Sequence, residues 1–181
     1  MAVQLWTAPL GPLQGINGVA YVSSVTLTDV SPGALANPIE LPGSTLMVGT
    51  RIVIDAWGTY SNITAAPTLL IGAYYGGIAG IALAASGAFT TTITAAGWIW
   101  QYHYQGVVQA TGTSGKIIGS GHMRFPVSLT AWTEIPIPVT TPAQVTIDTT
   151  IQKAITIGAQ WGTSSASNTL TCMDCLVVTH G

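Results

Sequence analysis

Along much of this chain apolar and polar residues alternate with a period of two, the spacing of a strand that buries one face. Residues 153–161 show the pattern well. Ile155, Ile157, Ala159 and Trp161 share one parity, and Ala154, Thr156, Gly158 and Gln160 the other. Seven small, mostly polar residues at 162–168 interrupt it before a second β-branched run that ends at Val178. Together with the extended piece at 144–150, this predicts a closing β-hairpin with a surface loop.

The same alternation recurs upstream. At 19–28, Val19, Tyr21, Val25 and Leu27 oppose Ser24, Thr26 and Thr28. At 50–60, Ile52, Ile54 and Ala56 form the inner face, while Arg51 and Asp55 share the outer one and are predicted to form a structural ion pair. Residues 66–89 carry no charge, and Gly72, Gly76 and Gly80 form a tandem G-x-x-x-G. Two readings follow, a membrane-spanning helix or two buried strands at 68–75 and 78–84 joined at Gly76–Gly77. Pro67, the Tyr74-Tyr75-Gly76-Gly77 cluster, the lack of flanking basic residues and the β-branched run at 90–94 favour the strands.

Trp98, Trp100, Tyr102 and Tyr104 fall on one face of the next strand, with Ile99, Gln101 and His103 on the other. Four large rings in a row form a wall that suits a domain core, a subunit interface, or a stacking platform for sugars or bases. A platform for bases would bring Lys or Arg with it. At 116–125, Gly119, Gly121, Met123 and Phe125 oppose Ser120, His122 and Arg124, and Pro126 ends the run. The proline-rich piece at 133–139 is predicted to be extended and to bridge one sheet to the other.

Residues 1–18 have no period. Pro9 and Pro12 keep them extended, and Leu5, Trp6, Leu10 and Leu13 are apolar anchors for a neighbouring subunit, for an assembly partner, or for the arm's own domain. The division is therefore an N-terminal arm, 1–18, and one domain, 19–181. Many short strands, Gly-, Pro-, Ser- and Thr-rich loops and no amphipathic helix make the class all-β, with two antiparallel sheets forming a sandwich.

Composition adds a constraint on partners. Of 181 residues only 6% are charged and 48% are hydrophobic, and the mean hydropathy is +0.51. So little charge on a soluble surface points to self-association or burial in an assembly. A net charge of −2 gives no basic footprint for nucleic acid or anionic lipid, so neither nucleic acid nor a membrane is an expected partner. The first residues lack a cationic leader with an apolar core, and a cleaved secretion signal is not expected. Cys172 and Cys175 form a C-x-x-C, but within a β-branched run rather than at a helix start. His103, His122 and His180 show no metal spacing. Reduced strand thiols are expected, with no metal and no cofactor. Asp29, Glu40, Asp55, Glu134, Asp148 and Asp174 are spread along the chain with no catalytic order, so an enzyme is not expected.

The final third, with residues 143–150, Ile155-Thr-Ile-Gly-Ala-Gln-Trp161 and Ser165-Ala-Ser-Asn-Thr-Leu-Thr171, resembles the C-terminal hairpin of structural proteins from tailed-bacteriophage virion modules. Residues 47–60 resemble the same family. Those proteins are similar to TNF/C1q-like jelly-rolls. The resemblance implies a jelly-roll sandwich and a homotrimer packed through an aromatic-rich sheet face. It implies a capsid decoration or minor head protein on the outer surface of the virion, bound to the major capsid protein or to neighbouring decoration subunits, with Leu5, Trp6, Leu10 and Leu13 of the arm as the candidate capsid-attachment residues. A receptor-binding, sugar-binding tip domain of a head or tail fibre is the alternative role. The chain departs from the family in ending at Thr179-His180-Gly181 instead of an acidic tail, and in carrying Cys172 and Cys175 where polar residues are usual.

Overall fold

A computed structural model describes residues 7–10, 20–22, 24–32, 39–62, 66–92, 94–128 and 130–181, the first segment as backbone. Every regular element among them is a strand. In chain order they are β1 (Thr7–Leu10), β2 (Tyr21–Val22), β3 (Thr28–Asp29), β4 (Ile39–Leu41), β5 (Arg51–Ser61), β6 (Thr68–Tyr75) and β7 (Ile81–Ala85). Then follow β8 (Phe89–Thr90), β9 (Trp98–Ala110), β10 (Gly115–Pro126), β11 (Trp132–Ile137), β12 (Val145–Ile147), β13 (Lys153–Trp161) and β14 (Thr169–His180).

The first sheet runs β1-β14-β5-β9-β10-β11, with β2 beside β14 and β12 beside β10. The second runs β3-β13-β6-β7, with β4 beside β13 and β8 beside β6. Taking β1/β2 and β3/β4 as one strand each, and β8 and β10–β12 as additions, the principal strands run 1-8-3-6 in one sheet and 2-7-4-5 in the other. That order is a jelly roll, two interlocked Greek keys in a two-sheet antiparallel sandwich. The uncharged stretch at 66–89 forms two strands, β6 and β7, joined by a turn at 76–80, so β7 starts three residues later than the period predicts. No helix among the described residues is long and apolar enough to cross a membrane.

Alternation places one parity of each long strand between the sheets. Ile52, Ile54, Trp100, Tyr104, Ile117, Ile155, Ile157 and Trp161 are all fully buried there. The rings organise one end of the core. Tyr60 stacks on Phe125 with centroids 4.2 Å apart, and Trp98 meets Tyr60 edge-on at 6.3 Å.

Four expectations change. The residues at 153–178 are not a hairpin: β13 lies in the second sheet, β14 in the first, and neither pairs with the other. The loop at 162–168 instead crosses the gap of about 10 Å between sheets. It is held by Asn168 Nδ2 donating to the Thr163 carbonyl at 3.0 Å and Gly162 N donating to the Thr68 carbonyl at 2.8 Å.

The strand predicted at 19–28 is likewise divided, with β2 on β14 and β3 on β13. Tyr21 Oη lies 2.5 and 2.7 Å from the carbonyls of Ser24 and Thr26, pinning the crossing between them. Residues 132–137 do not bridge the sheets. They form β11, an edge strand on β10, where Pro136 removes a donor that an outer edge does not need. Within the expected arm, Thr7–Leu10 is an edge strand paired with β14 from Thr7↔His180 to Leu10↔Val177.

Cys172 and Cys175 are three apart and would face opposite sides of a regular strand. A register shift on β14 between Cys172 and Asp174 turns both inward, and both are fully buried. Gly58 on β5 faces this bulge. A Cβ there would run into the Thr171 carbonyl and lie 2.9 Å from Cys172 Cα, so the bulge requires glycine at that position.

Candidate functional site

The outward face of the first sheet gathers most of the charge this chain has. Arg51, Lys116 and Arg124 point from it, as do Asp55, Glu134, Asp174 and all three histidines, in a chain with four Lys and Arg and six Asp and Glu. Strand register arranges these side chains in rows across the sheet. One row runs Glu134, Arg124, Gln101, Trp57, Asp174, from β11 to β14. The next runs Pro136, His122, His103, Asp55, Leu176. Two rows further the face turns apolar, with Ile118 beside Val107 before Arg51 and His180.

Within the polar rows the contacts are specific. His103 Nδ1 is 2.6 Å from Asp55 Oδ1, which fixes the imidazole orientation. The rings of His103 and His122 lie with centroids 5.3 Å apart, tilted by 35°. Arg124 Nε reaches Glu134 Oε2 at 3.4 Å. Between the rows is a shallow depression of about 440 Å³, floored by β5 and β9 and lined by Asp55, Trp57, Gln101, His122 and Asp174 among others. Trp57 stands 43% exposed there, a large ring left in water on a polar surface.

The predicted Arg51–Asp55 pair does not form, since Asp55 is taken by His103. Four strand residues span about 13 Å, beyond the reach of a direct ion pair. His103 is thus more than a plain polar strand residue, although no serine, threonine or cysteine among the described residues hydrogen-bonds to it. No group of three or more His, Cys, Asp or Glu among them is placed to hold a metal ion. Burial pushes the Cys175 thiol up to about 12 and raises the Cys172 thiol well above its ordinary value. Neither is a thiolate at neutral pH, and reactive cysteine chemistry needs one.

Of the aromatic wall, Trp100, Tyr102 and Tyr104 are buried in the core of a single chain, and Trp98 is half-buried against it. The wall is therefore core, and the opposite face of the same strand is the one that points outward. Leu5, Trp6 and Leu13 fall outside the described residues, and Leu10 stands in β1 opposite Val177. Trp57 and Asp174 were not singled out from the sequence. Trp57 shares the outward parity of Arg51 and Asp55, a usable signal, whereas Asp174 reaches the face only through the bulge.

Fold and face together define an all-β jelly-roll domain with a polar and aromatic outer sheet. No protein-family model matches the chain, and no curated protein matches it.

Proposed function

We propose that the protein is a structural component of a tailed-bacteriophage virion, a capsid decoration or minor head protein that trimerises and binds the outer surface of the shell. The observation that supports this best is a jelly-roll domain with 6% charged residues that leaves Ile81, Ile99, Trp132 and Ile151 exposed. Side chains of that size cost free energy in water and gain it against a partner. The motif resemblance in the final third points to the same class.

Its action is binding alone, with the major capsid protein or neighbouring decoration subunits as partners. A trimer offers three contacts at once, and effective concentration raises avidity above a single contact by about 10²–10⁴. The test has two stages: light scattering at micromolar concentration, then incubation with undecorated capsids and imaging. A mass three times the 18.6 kDa protomer and density on the shell are expected, and a monomer that leaves the shell bare overturns the proposal. A receptor-binding role at a fibre tip is the second reading, favoured by the depression around Trp57, and detection of the protein on tails rather than heads would select it.

A further inference from the structure

We propose that the depression over Trp57 binds an uncharged pyranose sugar. This rests on the geometry of the first sheet and holds whichever part of a virion, if any, carries the protein.

Trp57 sits in the middle of its row with Gln101 on one side and Asp174 on the other, and its ring is open to solvent. An indole in that position offers a flat apolar surface against which the C–H face of a sugar ring stacks. The groups around it suit the rim of such a ring. Sugar hydroxyls both donate and accept. Asp55 and Asp174 accept only, while the Gln101 amide does both, so neighbouring hydroxyls find complementary partners.

The strand backbones that carry these groups, and the Asp55 carboxylate, are held in place before any ligand arrives. Trp57 and Gln101 stand on central strands, β5 and β9, and the His103 contact at 2.6 Å locks Asp55. The volume, about 440 Å³, is in the range that small ligands occupy.

Charge selects a neutral sugar. Arg124 and His103 also line the depression, but Arg124 is paired with Glu134 and His103 with Asp55, whereas Asp174 belongs to neither of these two ion pairs among the described residues. A uronic acid or a phosphorylated sugar would bring a second negative charge to Asp174. A nucleotide would do the same, on a face without the excess of Lys and Arg that a phosphate backbone requires.

The experiment is ligand-observed saturation-transfer NMR on the full chain. The probes are the methyl glycosides of glucose, galactose, mannose and N-acetylglucosamine, with methyl glucuronide as the charged counterpart. At least one neutral glycoside is expected to bind at millimolar concentration. Trp57→Ala should weaken it at least about tenfold. The glucuronide should bind less well than its neutral counterpart, and Asp174→Asn should narrow that difference.

Because Trp57 is exposed, the alanine variant should keep the wild-type circular dichroism spectrum and light-scattering mass. The proposal is overturned if no neutral glycoside binds, if Trp57→Ala binds like the wild type, or if the glucuronide binds more tightly. It also falls if Trp57→Ala changes the mass in solution, since the face is then a contact between copies. None of these outcomes bears on whether the protein attaches to a shell.

Discussion

The Tyr102 hydroxyl, carried by β9, donates to the Ala84 carbonyl on β7 at 3.0 Å, and so ties the first sheet to the second through the middle of the core. The same oxygen accepts from Ala73 N on β6 at 3.2 Å. Its position has a local cause: the β6–β7 register shifts between Ala73 and Tyr74, and the hydroxyl bonds both strands beside that irregularity. Tyr102→Phe strands a buried amide and a buried carbonyl, and should cost about 1–3 kcal/mol in urea unfolding. Tyr104 is the control, because its buried hydroxyl has no hydrogen-bond partner among the described residues. Tyr104→Phe should therefore be neutral or stabilising. Equal losses in the two variants would show that the bridge contributes nothing.

Gly58→Ala should be among the most damaging single methyl additions in this chain. The added carbon meets backbone, the Thr171 carbonyl and Cys172 Cα, and backbone in a central strand pair cannot rotate away as a side-chain tip can. Overpacking of this kind costs typically 1–3 kcal/mol and more where backbone must shift. Unfolding midpoints check the size, and a chemical-shift comparison should confine the change to β5, β14 and their neighbours. A variant with wild-type stability would mean that the bulge at Cys172–Asp174 is absent in solution.

That bulge also marks where the sequence stops being readable. Parity identified the outward residues of the long strands one strand at a time: Arg51 and Asp55 on β5, Gln101 and His103 on β9, His122 and Arg124 on β10. Period two says which face a side chain takes, but not which strand lies alongside. Asp55 meets His103 from 48 positions away, and that partner follows from the jelly-roll order alone. Asp174 is a different case, because one extra residue in β14 inverts the parity on which the reading depends. The loop at 162–168 fails for a third reason, since seven residues suit a hairpin turn and a sheet-to-sheet crossing alike. The core aromatics were legible because Trp100, Tyr102 and Tyr104 alternate without a break.

Alkaline pH should unfold this protein earlier than its low charge would suggest. Burial raises the thiols of Cys172 and Cys175, the latter to about 12, and raises the phenols of Tyr60, Tyr102 and Tyr104 as well. In the unfolded chain thiols lose their protons near about 8.5 and phenols near about 10. Above those values the unfolded state holds fewer protons than the folded one, so stability falls as pH rises and is intact below about pH 8. The melting temperature should decline from about pH 9 upward, and Cys172→Ala with Cys175→Ala should flatten the first part of the decline. At pH 8 a thiol reagent should label the native protein only at the rate of unfolding. Rapid native labelling, or a melting temperature that rises from pH 8 to 10, would contradict the burial of these groups.

Deleting residues 1–18 tests two roles of the N-terminus at once. Leu5, Trp6 and Leu13 are the proposed shell anchors, while Thr7–Leu10 covers one edge of β14. The long strands that form the core begin at β5, so the truncated chain should still fold. It should nonetheless lose stability, since uncovering β14 between Val177 and His180 removes backbone hydrogen bonds worth about 1 kcal/mol net each. An uncovered edge also invites strand addition, so the variant should aggregate more readily at high concentration. If the arm carries the attachment, a variant with Leu5, Trp6 and Leu13 changed to serine should keep β1 and lose capsid binding in a pull-down. Full binding by that variant would move the attachment surface onto the sandwich. A truncated chain as stable as the whole one would remove β1 from the working sheet.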